Sequence, residues 1–529
     1  MRRILALLFI ALLALAPALA RAADGQALAL LASGNYDSMR EGVRQLAASG
    51  DPRAAAIIEA LQDNTLYVSA GKALFIVGAN GSVSNAATGA PAPGVTAGAL
   101  KQVMVDNPVR SAIDAALGQL QLFSPDAATR LLAAEAVFQS HDIAALPSLA
   151  KALAKETNPA VKTRMQQAQA AALLFSANVP EKDRLAAVAT LRARGDLDAR
   201  SLLDGLTDQP PAVAAAAHAA VATIDRMLQL WGILQSVYYG ISLGSVLLLA
   251  AAGLAITFGV MGVINMAHGE MVMLGAYTTY VVQQTMHQVA PSWYQANLLF
   301  AVPLAFLVSG SVGIAIERSL IRWLYGRPLE TLLATWGLSL VLQQAVRSIF
   351  GAQNKDVDTP FWMSGDMHLG GLTITLNRLY IIGFAVLVLA ALMAALRFTP
   401  LGLRMRAVTQ NRLMAAAMGI RTPWIDALTF GLGSGVAGIA GVALSQIDNV
   451  SPNLGQNYII DSFLVVVFGG VGNLWGTTVG ALTLGIVNKF LEPVAGAVLG
   501  KIVVLVMVIL FIQRRPRGMF PLKGRAAEA

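Results

Sequence analysis

Apolar residues follow two patterns along this chain, and the change falls near residue 228. From there onward they run in long blocks, roughly 230–258, 266–286, 298–317, 329–350, 377–396 and 424–447, and then almost without a break from 458 to 512. Each of the first six can cross about 30 Å of hydrocarbon as a helix. The last is interrupted at Gly469-Gly470, Asn473, Gly476 and Pro493, so it is read as short spans. Before 228 the spacing is that of amphipathic helices: in Asp126 to Phe138, Ala127, Leu131, Ala134 and Phe138 share one face.

In that first region a proline often precedes or opens a helix, as at Asp51-Pro52-Arg53, Ser124-Pro125-Asp126, Asn158-Pro159-Ala160 and Gln209-Pro210-Pro211. The first turn of a helix tolerates proline because its N–H has no partner there anyway. The irregular spacing of these starts fits degenerate HEAT-type helical repeats, with an irregular helical bundle as the alternative. Leu66-Tyr67-Val68 and Ala73 to Val77 read as a small hairpin followed by a turn-rich loop from Gly78 to Gly98. His141 and His218 stand alone on Ala-rich helices, so a packing or docking role is expected here rather than catalysis.

Charge and composition give these regions a direction. Met1-Arg2-Arg3, an apolar run from Ile4 to Leu15 and small residues near Ala20-Arg21-Ala22 make a secretory signal, with an uncleaved anchor as the alternative. The expected organisation is therefore a signal peptide at 1–22, an exported, mainly helical domain at 23–225, a membrane domain at 228–513 and a basic cytoplasmic tail at 514–529. The chain has no cysteine, which excludes disulfides, thiolate metal sites and cysteine nucleophiles. Its net charge of +8 fits cytoplasmic loops rather than nucleic-acid binding, because no basic patch is interleaved with aromatics. Arg318, Arg322 and Arg327 mark one inside loop, and Arg397, Arg404, Arg406, Arg412 and Arg421 another. The tail is basic too, whereas 287–297 and 448–457 carry no Lys or Arg and face out. With the first domain outside, parity requires an odd number of crossings. The fold expected is an all-α, polytopic membrane protein of nine spans, three of them in 458–512, with eight plus a re-entrant segment as the alternative.

Polar residues inside the apolar blocks carry the chemistry. Asn265, His268 and Glu270 fall within six residues of an apolar stretch, where they either face a pore or an interface, or sit in a solvated turn between the first two spans. Gly431 and Gly435, with Gly472, Gly476 and Gly480, have the spacing that lets helices approach closely. Packing within one subunit is the simpler reading of these glycines, and a dimer interface the other.

The run from Gly253 through Asn265-Met266-Ala267-His268-Gly269-Glu270 to Tyr277 resembles the signature of the branched-chain amino-acid permease family of ABC importers. So do Thr399 to Ala407 leading to Gly419-Ile420, and Gly469 to Gly476; the resemblance covers about 230–520. The exported extension, Gly326 to Gly337, and Ile512 to Phe520 look like the urea-permease branch of that family. The resemblance implies a subunit that moves urea inward beside a second, related permease. It further implies two ABC ATPase subunits and a periplasmic substrate-binding protein as partners, with membrane lipid around the spans. ATP-Mg would sit on the ATPases and no cofactor on this chain. Consistent with that, Gly496 to Ile502 lacks the spacing and the Ser/Thr of a phosphate loop. The ATPase contact is expected in 398–423, through Arg404, Arg406, Asn411, Ala415, Ala416 and Gly419, although the family's glutamate is missing. Asn411 to Met418 should form a short helix stopped by Gly419 and Pro423. Urea needs fixed acceptors and a donor, and Asn265, His268, Glu270, Gln343, Gln344 and Asn488 are the candidates for its path.

Two rivals come from other classes. An intramembrane hydrolase would need more than Gly240-Ile241-Ser242-Leu243-Gly244, which lies in an apolar helix rather than a strand-to-helix turn. A passive channel for urea or ions shares the hydropathy and is separated only by the basic loop and the family signature. A branched-chain amino acid or a short amide is the alternative cargo.

Overall fold

The computed structural model describes residues 25–49, 53–78, 81–176 and 179–520. The segment read as a signal peptide, the helix start at Asp51-Pro52 and the tail beyond 520 lie outside them. The chain divides into two compact units, Met1–Leu228 and Gln229–Ala529.

The first unit is mainly helical. Asp106, Asp126, Asn158 and Asp196 each accept a backbone N–H at the start of a helix, and Pro159 and Pro211 occupy first turns, as their sequence positions predict. Helix Ala127–Ser140 packs on Asn107–Gln121 and on Pro159–Phe175, which packs in turn on Glu181–Arg194. Ala134 and Phe138 are fully buried between them, the face expected from their spacing. The strands exceed expectation. β1 (Leu66–Val68) and β2 (Leu74–Val77) form the hairpin, but the supposed loop holds β3 (Val83–Asn85) and β4 (Lys101–Gln102) follows it, making an antiparallel sheet in the order β3-β2-β1-β4. Three-residue strands among Gly, Ser and Asn leave too short an alternation to read from sequence.

Among its described residues the second unit is helical apart from its loops and one two-stranded ribbon, Asp366–Leu369 with Leu372–Thr375. Its long helices are Pro211–Met261, which enters from the first unit, then His268–Val289, Asn297–Ser319, Pro328–Phe350, Leu376–Phe398, Thr422–Leu444, Leu454–Gly469 and Leu474–Arg514. The last contains a reversal at Gly496, whose φ of 77° suits glycine. Gly476 and Gly480 pack against Gly469 and Val465, so the first part runs antiparallel to 454–469. Lys501 bonds Asp461 and Phe511 meets Phe468, so the second part runs parallel to the same helix. The run 458–512 thus holds three segments. The breaks lie at Gly470–Asn473 and Gly496, whereas Gly476 and Pro493, expected to interrupt it, sit inside helix.

The loops gather at two ends. At one, Arg318 stacks on Trp424, Arg412 lies over Tyr325, and Met519 bonds Phe468. At the other, Tyr294 bonds Asp358 and Lys355 pairs with Val450. All the arginine-rich loops lie at the first end, as alternate crossing requires.

The glycine stripe of helix 422–444 packs inside the chain. A Cβ at Gly431 would meet Ile314, one at Gly435 would meet Phe306, and one at Gly472's partner Gly259 would strike Gly472 itself. This supports the intrachain reading of these glycines.

Candidate functional site

The polar motif at 265–270 is not a solvated turn. Helix Pro211–Met261 stops before Gly262, whose φ is 67°, and the chain doubles back along it. His268 Nε2 lies 3.0 Å from the carbonyl of Ala250, eleven residues and about 16 Å up the helix just left. The next helix, His268–Val289, therefore starts deep within the bundle rather than at its end.

A second helix starts at the same depth. After Leu444 the chain turns through Ser445–Asn453, and Gly455, in the first turn of Leu454–Gly469, packs directly on Gly269; a Cβ on either would collide with the other's carbonyl. From this contact the two helices run to opposite ends. One carries Gln283 to Asp358, and the other brings Gly469 to Gly476 and Phe520. Two of the expected spans are thus part-crossings, since hydropathy sees an apolar turn and an apolar helix as one block.

Around this junction the polar groups are almost fully buried: Asn265, His268, Glu270, Thr335, Ser339 and Gln343. Asn265 Oδ1 accepts from the N–H of Ala267 at 3.0 Å, holding the turn. Met266 N–H donates to Thr335 Oγ1 at 3.1 Å. One oxygen of Glu270 accepts from Ser339 Oγ and Gln343 Nε2, both at 2.8 Å, while the other has no partner, nor has His268 Nδ1. Such unsatisfied buried atoms mark a place where a solute or water belongs.

The structure joins four of the six path candidates: Asn265, His268, Glu270 and Gln343. Gln344 is the neighbour of Gln343 but points out of the bundle, accepting from Arg347 Nη1 at 3.2 Å. One step along a helix turns a side chain by about 100°, so only one of two adjacent glutamines can face the junction. Asn488 lies elsewhere, beyond Gly485, which packs on Gly240 and Gly244. Gly240 is ten residues, about 15 Å, above Ala250 on its helix. Thr335 and Ser339 were missed because hydroxyls do not stand out in an apolar helix.

At the arginine-rich end, Asn411 caps the short helix Arg412–Ala417, accepting from Met414 N–H at 2.9 Å, and Gly419 follows with φ 84°. Ala415 is buried, but Ala416, Arg404 and Arg406 are exposed, and Arg406 bonds the carbonyl of Leu396. Pro423 does not stop this helix; it stands in the first turn of the next. Arg412 pairs with Asp426, which is fully buried, tying the short helix to 422–444. Leu413 is 85% exposed and Met418 78%.

The fold and this motif agree with sequence comparison. Residues 236–512 match the family described as the permease component of the branched-chain amino acid transport system. The chain belongs to that family. Among its relatives is the high-affinity branched-chain amino acid transport system permease protein BraD of Pseudomonas aeruginosa, 29% identical over 55% of this chain and 97% of BraD. The permease protein LivH of the same type of system in Salmonella typhimurium is 30% identical over 54% of this chain and 94% of LivH, and that of Escherichia coli K12 is similar at 30%. No solved structure matches. The chain is therefore a permease subunit of an ABC transporter rather than an enzyme.

Proposed function

We propose that this permease forms the solute path of an ATP-driven importer, and that its cargo is a small neutral amide, urea foremost. The observation carrying this is the buried junction of Asn265, His268, Glu270, Ser339 and Gln343 between two opposed helix starts. It offers acceptors and donors, but among the described residues of the second unit no lysine or arginine is buried to neutralise a carboxylate. A neutral solute with one carbonyl and several N–H groups suits such a lining. The segments Gly326 to Gly337 and Ile512 to Phe520 resemble the urea-permease branch and add to this reading.

A branched-chain amino acid is the second reading, and the relatives support it better than urea. BraD and LivH carry it in their names, and helix starts can hold a carboxylate without a buried cation.

The remaining parts follow from the same reading. The first unit lies in the periplasm behind a signal peptide, and the arginine-rich end and C-terminus are cytoplasmic. The exposed Leu413 on the Arg412–Ala417 helix and Met418 just after it dock on one of two ATPases, a second permease completes the path, and a periplasmic binding protein delivers the solute.

Uptake of labelled urea and labelled leucine into cells with and without the cognate ATPases tests this. Urea accumulation that needs the ATPases is expected. Leucine accumulation in its place would establish the second reading, and uptake of either without ATP hydrolysis would make the protein a channel.

A further inference from the structure

At the end of the bundle opposite the arginine-rich loops lies a cavity of about 370 Å³, a size that accommodates a small solute. It is bounded by the start of helix 376–398, the turn after helix 422–444, Tyr239 on helix 211–261 and Asp356 of the 351–365 segment. It is separate from the junction at 265–270 and shares no residue with it.

Three amide side chains line it, Asn377, Gln446 and Asn449, and hydrogen bonds fix which way the first two point. Asn377 Nδ2 donates to the carbonyl of Gln446 at 3.3 Å; a reversed amide would set oxygen against oxygen. Ser445 gives its only proton to the carbonyl of Val442 at 2.8 Å, so its oxygen can only accept, and Gln446 Nε2 is the group facing it at 3.3 Å. Both amide carbonyl oxygens, Asn377 Oδ1 and Gln446 Oε1, are thereby left without a partner and covered, so a solute meets them when the side chain turns toward the cavity. Buried acceptors are rarely left unpaired in native structures unless a ligand or water meets them.

A donor stands beside them. The Arg378 guanidinium lies over the Tyr239 ring at 4.9 Å and reaches Ser242 Oγ at 3.5 Å, which leaves most of its five N–H groups unused. Asp448, held by Tyr458 at 3.3 Å and its neighbour's N–H, adds a further acceptor at the rim.

We propose that this cavity is a second solute-binding site of the permease, in which Asn377 and Gln446 accept N–H groups while Arg378 holds a carbonyl or carboxylate oxygen. Urea, a short amide and an amino acid share that chemistry. The site deepens the import reading above and rests on it: it would receive the solute before the junction at 265–270 does.

The test uses discrimination, because a folding defect lowers all transport alike. In cells carrying the whole transporter, uptake of labelled urea is compared with that of N,N-dimethylurea, in which one nitrogen has lost both N–H groups and can meet neither acceptor. Gln446→Met and Asn377→Leu remove one acceptor each at nearly constant volume. Each is expected to lower the urea to dimethylurea ratio about 10-fold, as the loss of one buried hydrogen bond to a solute implies. Equal recovery of variant and wild type with the ATPases checks assembly. A ratio unchanged in both variants would overturn the site and leave the cavity holding water. The wild-type uptake decides the cargo independently. If leucine is the solute taken up, the urea reading falls, and the site stands or falls on the same ratio measured for leucine against N,N-dimethylleucine, whose ammonium keeps a single N–H.

Discussion

At the scale of single residues, the contrast between a polar group and its surroundings decided what could be read. Asn265, His268 and Glu270 were legible because a carboxylate or imidazole in an apolar block costs several kcal/mol unless it has work or a partner, on the order of 2.5–3.5 kcal/mol for a central charge. Asn377 and Gln446 were not legible, since they sit at the ends of apolar blocks, where amides are ordinarily solvated. Replacing Asn265 or Glu270 by Ala is expected to abolish uptake while the subunit still copurifies with its partners; normal uptake in both variants would remove the junction from the path. In the first unit, Glu156 accepts from Arg130 Nε at 2.6 Å and Nη2 at 3.0 Å, and the guanidinium holds its carboxyl below the usual range. Because the folded value lies below the unfolded one of about 4.3, the pair stabilises fully above that pH and its contribution fades as pH falls through the folded value. Glu156→Gln should lower the midpoint for thermal loss of amide protection in 127–175 by about 2–4 °C at pH 7. That gap should narrow as the pH falls below about 4.3 and close once it has passed the folded value; a constant gap would assign the loss to packing.

At the scale of elements, helix existence followed from apolar length, and the bounds of the next five blocks differ from expectation by a few residues, whereas the first helix starts at Pro211 rather than near 230. Direction within a block did not follow. The doubling back at 262–267 and the reversal at Gly496 both lie inside apolar blocks, where Asn265 and Pro493 mark an interruption but not the direction the chain takes after it. By sequence Gly476 reads both as an interruption and as a packing residue, and it sits within helix and packs on Gly469. The short helix Arg412–Ala417 was predictable from its Asn cap and following glycine. Its exposed apolar side chains argue for a protein partner rather than an anchoring loop. Leu413→Ser combined with Met418→Ser should cut the amount of ATPase that copurifies by several-fold without lowering the amount of permease in the membrane. Unchanged copurification would place the ATPase contact elsewhere.

At the scale of the whole molecule, the arginine pattern and the fold bear on topology together. All basic loops share one end of the bundle, so the charge rule has a single consistent answer, in which that end faces the cytoplasm. The absence of cysteine makes this simple to check. A His218→Cys variant, exposed in the first unit, should react with a membrane-impermeant maleimide in intact spheroplasts, and a Met418→Cys variant only after permeabilisation. The opposite pattern would invert the molecule. The sequence by itself determined the class of protein, the membrane helices, the arginine-marked end and the motif at 265–270, because hydrophobic length, charge and buried polarity are local quantities. Only the tertiary structure decided that the motif turns back into the bundle to meet a second helix start at Gly455, which glutamine faces that junction, and that Asn377 and Gln446 share a cavity. Those are facts about distant segments brought together, and the direction of a chain inside an apolar layer leaves no trace in its composition.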